Sequence, residues 1–389
     1  MNTTERELQP GFRRSRMTTI RGPRTRSVVT FNPTTISPGE ELYINIPKLK
    51  SDSCLVPGSL ALLFDFKNSN TKSRFKNNLA KLLTKRLQIK VAGETAYDCS
   101  GESLYEIYKD LLLTLGVKVC DAGKVADALL HSVYGSKLRK PIDKIIEDHG
   151  LYTPFSMNNN PMYVLTLPQS DEIMTAQGGE AKGDYKLDNL ELEYETIDND
   201  NLASEVSRLY STGRSLSYKH VTLMRTSNWD KDSTIINENI NMPRKSMSAI
   251  FLLFTSKVRT DSEEYIYANI DKVNMTIEGV PNAVFSQGLP KNRFFEEAKR
   301  FFCPMCEKSM ADEFMSITKF FSNGFVLVVD LRSTQDDTTG GGKKIVNTQS
   351  GVLREIKKRA TTADVQCNIF IVSDALLNFA NRDLSSIQY

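Results

Sequence analysis

One Trp and three His among 389 residues leave little material for chemistry that needs such residues in clusters. His131, His149 and His220 have no paired spacing, so no HExxH metal helix is spelled out. Six Cys without regular spacing suit reduced thiols in a cytosolic or nuclear compartment rather than a disulfide framework. No apolar run reaches about 18 residues, and the start lacks the apolar core of about 7–15 residues that marks a secretory signal. Neither a transmembrane segment nor secretion is therefore expected, and the sequons at Asn2 and Asn274 carry no weight. A net charge of +3 is too small to argue nucleic-acid binding for the whole molecule.

Catalytic signatures are missing too. The stretch "TTGGGKKI" from Thr338 fails the phosphate-loop pattern, because Asp337 stands where Gly is needed and Lys344 where Ser or Thr is needed. It reads as a loop between two strands. The pair Cys303 and Cys306 has no second CxxC to complete a zinc site and lacks a redox βαβ setting, so it reads as two thiols ending a helix. There is no nucleophile elbow and no kinase signature. No catalytic residue, cofactor or metal is assigned, and the chain is read as a non-enzyme.

What is present is an ordinary globular composition, 40% hydrophobic and 25% charged, in a chain long enough for two cores. Charge is unevenly placed: seven Arg lie between Arg6 and Arg26, against Glu5 and Glu7. Pro10, Gly11, Gly22 and Pro23 break any periodicity there, so residues 1–30 read as a basic disordered arm. Arg13, Arg14, Arg16, Arg21, Arg24 and Arg26 are its candidate contacts with nucleic acid or a neighbouring acidic surface, through counterion release. A solvated tail without a partner is the plainer reading.

The rest of the chain repeats itself once. "INIPKL" from Ile44 is answered by "INMPRK" from Ile240, and "SLALLFDFK" from Ser59 by "SAIFLLFTSK" from Ser248. "RLQIKVAGE" is answered by "KVNMTIEGV", both alternating with period two and ending in Gly, at Gly93 and Gly279. The helix "ESLYEIYKDLLLTLG", with Leu104, Ile107, Tyr108 and Leu111 on one stripe, is answered by "NRFFEEAKRFF". Spacing then pairs "YVLTLPQ" from Tyr163 with "FVLVVDL" from Phe325, and "LELEYETI" from Leu190 with "VLREIKKR" from Val352. "HVTLMRTSNW" closes the first half and "NIFIVSDALLNF" the second, with the junction between Thr226 and Thr234.

Short strands separated by turns, with one helix in a long connection, predict antiparallel sandwiches rather than a parallel α/β sheet. The expected fold is mainly β: a tandem double jelly roll, two antiparallel β-sandwiches with a helix inserted in a loop of each. The expected domains are the arm at 1–30, a first roll at 31–229 and a second at 230–389.

Seven stretches, "ISPGEELYINIPKL", "LVPGSLALLFDF", "YGSKLR", "DHGLYTPF", "LDNLELEYE", "LVVDLRST" and "NRDLSSIQY", resemble the major capsid proteins of Polinton/Maverick elements and adintoviruses. The resemblance runs from about Phe31 to Tyr389. It implies a double jelly-roll major capsid protein of the adenovirus hexon lineage, whose homotrimers form pseudo-hexagonal capsomers of an icosahedral shell around double-stranded DNA. Implied partners are neighbouring capsomers, penton and minor capsid proteins, with weak contact between the arm and DNA. The implied location is the virion, after assembly in the host nucleus or cytoplasm. This chain is short beside hexon-like members, so tall tower loops are expected to be largely missing. Two other readings remain. A minor or vertex capsid protein usually needs one roll, and a ligand-binding β-sandwich would show an aromatic-rich or acidic loop.

Overall fold

A computed structural model describes residues 23–56, 58–69, 73–75, 82–113, 137–142, 153–154, 161–176, 183–257, 265–277, 280–281, 287–302, 316–333, 342–345 and 352–389. The first repeat contains β1 (Arg24–Thr30), β2 (Glu41–Asn45), β3 (Ser53–Leu55), β4 (Ala61–Asn68), β5 (Ser73–Phe75), β6 (Arg86–Val91) and β7 (Glu94–Cys99). Helix α1 (Glu102–Leu113) follows, then β8 (Lys137–Pro141), β9 (Thr153–Pro154), β10 (Met162–Thr166), α2 (Ser170–Ile173), β11 (Met174–Ala176), β12 (Tyr185–Asp198) and α3 (Asp200–Thr212).

The second repeat contains β13 (Arg214–Trp229), β14 (Ile235–Ile240), β15 (Arg244–Ser256), β16 (Ile270–Ile277), β17 (Val280–Pro281) and β18 (Leu289–Pro290). It continues through α4 (Phe294–Phe302), α5 (Ile317–Asn323), β19 (Val326–Asp330), β20 (Lys343–Ile345), β21 (Val352–Lys358), β22 (Val365–Ala380) and β23 (Asp383–Gln388).

Pairing makes the duplication explicit. In the first repeat one sheet runs β1-β12-β4-β8 and the other β2-β10-β6-β7. In the second the corresponding sheets run β13-β22-β15-β19 and β14-β21-β16-β17. These eight strands keep the same order in both repeats, all antiparallel where register is defined, while β3 and β9 extend the first repeat's sheet and β18, β20 and β23 those of the second. The strings "INIPKL" and "INMPRK" thus leave equivalent edge strands, β2 and β14, and Ile44 and Ile240 are both fully buried. Alternation buries Leu87, Ile89 and Val91 on β6 and Val273, Met275 and Ile277 on β16, as period two requires. Gly93, at φ +83°, makes the tight β6–β7 turn with Ala92. Gly279 lies outside the described residues.

Three expectations are corrected. "YVLTLPQ" and "FVLVVDL" are not counterparts, because β10 lies between β2 and β6 whereas β19 lies beside β15. The partner of β10 is β21, that of β12 is β22, and that of β19 is β8. The spacing match slid by one strand because β8, "KLRKP", is too basic to read as a strand. "HVTLMRTSNW" does not close the first repeat: it belongs to β13, which pairs with β22 and opens the second. Residues 24–30 are not irregular arm, since β1 pairs with β12 from Arg24↔Ile197 to Thr30↔Glu191.

The chain forms two compact units. The first comprises Met1–Asp98, Lys124–Tyr218 and Leu376–Gln388; the second comprises Cys99–Gly123, Lys219–Ala375 and Tyr389. Helix α1 therefore counts with the second unit although it follows a strand of the first repeat. Leu104, Ile107 and Tyr108 of its predicted stripe are buried, and the Leu111 side chain lies outside what is described. Tyr108 donates to the Gly324 carbonyl at 3.0 Å, and Tyr265 donates to the Leu104 carbonyl at 2.6 Å. The two tyrosine rings meet edge to face at 4.8 Å. Gly101 starts the helix so close to Phe370 that a Cβ there would sit 2.8 Å from its ring.

Helix α3 escaped sequence reading, although its signal was present. Asn199 caps it, its side chain accepting from Leu202 N at 3.0 Å, and Leu202, Val206 and Tyr210 recur at four-residue spacing on its buried side.

Candidate assembly surface

On β12 the alternation of Leu192 and Tyr194 with Glu191, Glu193 and Glu195 puts three carboxylates on the outer face of the first sheet. Basic strands reach them from both sides. From β8, two strands away across β4, Lys137 meets Glu191 at 2.6 Å and Arg139 meets Glu193 at 2.7 Å. From β1, Arg26 meets Glu195 at 2.9 Å and Glu193 at 3.9 Å, while Arg24 stands 3.9 Å from Glu195. The small and apolar Ala61 and Leu63 of β4 pair with Glu193 and Glu191 in the sheet and leave room for the long basic side chains to cross. Glu193 is the deepest member, its side chain only 4% exposed. At the end of the strand, hydrogen bonds led by the Ser53 hydroxyl, with Thr25 of β1 contributing, hold the Asp198 carboxyl below the usual range.

The corresponding sheet of the second repeat keeps one echo of this ladder. Asp374 of β22 is buried, paired with Lys219 of β13 at 2.6 Å and accepting from the Ser246 hydroxyl. Gly342 donates to Ser246 at 3.0 Å, and its own Cβ position lies 2.6 Å from the Met247 backbone, so only Gly approaches β15 this closely. Elsewhere this outer face is aromatic. Phe251 of β15 meets Phe301 of α4 at 4.9 Å and Tyr105 of α1 at 6.0 Å, and Phe370 of β22 meets Tyr105 at 5.8 Å. One sheet of the duplicated pair thus carries ions and the other carries helices.

Between the two sheets of the second sandwich, Trp229 is buried against Phe254, and its indole N–H donates to Glu238 at 3.0 Å. Arg225 also binds Glu238. At this level β2 carries Leu42, so the second repeat has exchanged an apolar contact for a polar one. Sequence reading treated Trp229 as part of a junction; its role needs β14 opposite it.

Of the candidate arginines, the structure places Arg24 and Arg26 on β1, against Glu195. Arg13, Arg14, Arg16 and Arg21 lie outside the described residues, as do Cys303, Cys306, Cys120 and residues 338–341 of the Gly-rich stretch, whose Lys343–Ile345 form strand β20 rather than the expected loop. Cys54, Cys99 and Cys367 are buried thiols, and burial pushes that of Cys54 up to about 12. Among the described residues no group of His, Cys, Asp and Glu could hold a metal ion, and no helix is long and apolar enough to cross a membrane. Sequence reading missed Lys137 and Arg139. Their alternating basic pattern in "KLRK" is the local sign of the ladder's basic side.

No protein-family model matches the sequence, and no curated protein matches it. Solved structures do match. VP54 of PBCV-1, in the form fitted into a reconstruction of the virophage Sputnik, is similar at TM-score 0.60 and 9% identity, over 95% of this chain and 97% of that one. The Faustovirus major capsid protein is similar at 0.58 and 8%, over 92% and 91%. The mavirus major capsid protein is similar at 0.53 and 9%, over 94% and 90%. The fold is a double jelly roll. At these identities the likeness speaks for architecture, which agrees with the strand orders described above.

Proposed function

We propose that this double jelly roll is the major capsid protein of an icosahedral double-stranded DNA virus or virus-like element. The observation that carries the proposal is two sandwiches in one chain that share the same eight-strand pairing order, similar in fold to capsid proteins over nine-tenths or more of both lengths. The duplication argues for a shell-forming role: two similar rolls per chain, in three chains, present six similar edges that can tile a hexagonal array. A minor or vertex protein would need one roll.

The finer assignment to Polinton/Maverick elements and adintoviruses rests on the seven stretches that resemble them. Partners under this proposal are further copies in a homotrimer, neighbouring capsomers and penton or minor capsid proteins, and the location is the virion. The basic segment before β1, with Arg13, Arg14, Arg16 and Arg21, is proposed to contact DNA or a neighbouring capsomer, with affinity falling steeply as salt rises.

Negative-stain microscopy and light scattering of the purified protein test the proposal. Pseudo-hexagonal particles with about three times the 43.8 kDa chain mass are expected. A monodisperse monomer at every concentration refutes it.

A further inference from the structure

Positive charge gathers at one corner of the second sandwich, where β15 starts beside the short strand β20. Arg244 and Lys245 stand on β15, Lys343 and Lys344 on β20, and the three lysines are exposed. Arg244 pairs with Ile345 and Met247 with Lys343, so Lys245 and Ser246 share the single residue between, Lys344, in a β-bulge. The Ser246 hydroxyl is engaged by Asp374 and Gly342. Lys245 is thus left opposite Lys344, and like charges opposite each other across two strands destabilise a sheet. Asp374 is buried and already paired with Lys219. Among the described residues no carboxylate forms an ion pair with Lys343 or Lys344. Guarding of an open edge accounts for lysine on β20 but not for Lys245, whose backbone N–H is taken by the Tyr389 carbonyl at 2.9 Å. The Tyr389 ring also lies 5.4 Å from the Arg244 guanidinium and packs on His220 at 5.0 Å, which fixes the arginine beside the lysines.

We infer that this corner is a phosphate-binding site for the backbone of duplex DNA, with Lys245, Lys343 and Lys344 as its contacts and Tyr389 holding Arg244 in place. The choice of DNA rests on the capsid reading and deepens it, since that reading assigns DNA contact only to the segment before β1. Duplication supplies a reason for the position. In the first repeat the basic segment enters at Arg24, opposite Ile197 near the end of β12. β15 begins at the corresponding end of the second repeat, with Met247 opposite Ser373 of β22 as Ala61 of β4 stands opposite Glu193 of β12. No arm enters there, because the chain passes from α3 through Gly213 directly into β13, and the cations stand on strands instead. An anionic bilayer fits less well. Proteins that lie on membranes add apolar side chains to their cations, and among the described residues none of the exposed large apolar side chains is on β15 or β20.

Fluorescence anisotropy of a labelled duplex of about 20 base pairs, at about 50–200 mM salt, tests the inference on the full chain. Compared with it are Lys245→Gln/Lys343→Gln/Lys344→Gln, the arm variant Arg13→Gln/Arg14→Gln/Arg16→Gln/Arg21→Gln, and the two combined. The triple lysine variant is expected to bind at least about tenfold more weakly at about 50 mM salt, and its slope of log affinity against log salt falls by about 2–3, or about 0.9 for each lost phosphate contact. The combined variant shows the same drop relative to the arm variant. Melting without DNA is a second readout: with Lys245 opposite Lys344, the triple variant melts at or above the parent temperature. An unchanged salt slope in the triple variant overturns the inference. A lowered melting temperature does so too, by making the lysines part of the fold. Binding abolished by the arm variant alone overturns it, as does a triple-variant defect seen on phosphatidylglycerol vesicles and not on the duplex. Capsomers that bind no duplex through these lysines leave the capsid reading standing, whereas a monomer that does bind it refutes the capsid reading alone.

Discussion

Replacing Arg139 by Met tests the ion ladder on β12. Glu193 is 4% exposed at its side chain and holds Arg139 at 2.7 Å, with Arg26 more distant at 3.9 Å. Arg139 is itself 22% exposed and Arg26 is 57% exposed, so the pair is neither a surface bridge nor fully buried. Exposed pairs contribute about 0–1 kcal/mol, whereas orphaning a buried charge costs about 3–5 kcal/mol. The geometry lies between these limits, and a lost charge-assisted hydrogen bond of about 2 kcal/mol is expected. For a domain of roughly 150–250 residues that lowers the melting temperature by about 4–8 °C.

The companion variant Arg139→Met/Glu193→Leu removes the carboxylate as well, and apolar replacement of a buried pair is near neutral or better. It should return to within about 1 kcal/mol of the parent. Scanning calorimetry of the three proteins decides the matter. An unchanged Arg139→Met protein, or a double variant less stable than the single one, refutes the view that Glu193 is a buried charge held by Arg139.

Two further outcomes follow from the polar contacts. Glu238→Ala leaves the Trp229 indole N–H unpaired in the core and should cost about 1–3 kcal/mol, read by guanidinium unfolding monitored through the fluorescence of the only Trp; a cost below about 0.5 kcal/mol would show the bond to be idle. Asp198 has a depressed carboxyl pKa when folded, so its contribution is full above the unfolded value of about 4 and is lost as pH falls through the folded one. Asp198→Asn should accordingly be less stable than the parent at pH 7, with the gap closing in acid below about pH 4; a gap that persists there would point to something other than the carboxylate's charge.

Much of this architecture was legible because period and order survive in local sequence. The alternation in "RLQIKV" and "VNMTI", the helical stripe Leu104–Ile107–Tyr108 and the repeated "IN-x-P" each record which side of an element faces a core, and residues two to four apart suffice to show it. The strict alternation of Glu191, Glu193 and Glu195 with Leu192 and Tyr194 is likewise a local record of an acidic outer face. By themselves these patterns determined a duplicated, mainly β chain.

The tertiary structure decided which strands are neighbours. β1 carries no period because neither face is buried, and β8 looked like loop because its Lys and Arg find their carboxylates on β12, some fifty residues later and two strands away. β13 read as the end of one repeat until its pairing with β22 placed it at the start of the next. Helix α1 has the stripe of an ordinary insertion, yet that stripe could not say that it would pack with Tyr265 and Phe370 of the later repeat. Pairing and packing of this kind are set by hydrogen bonds and contacts between residues far apart in the chain, and no local periodicity encodes their partners.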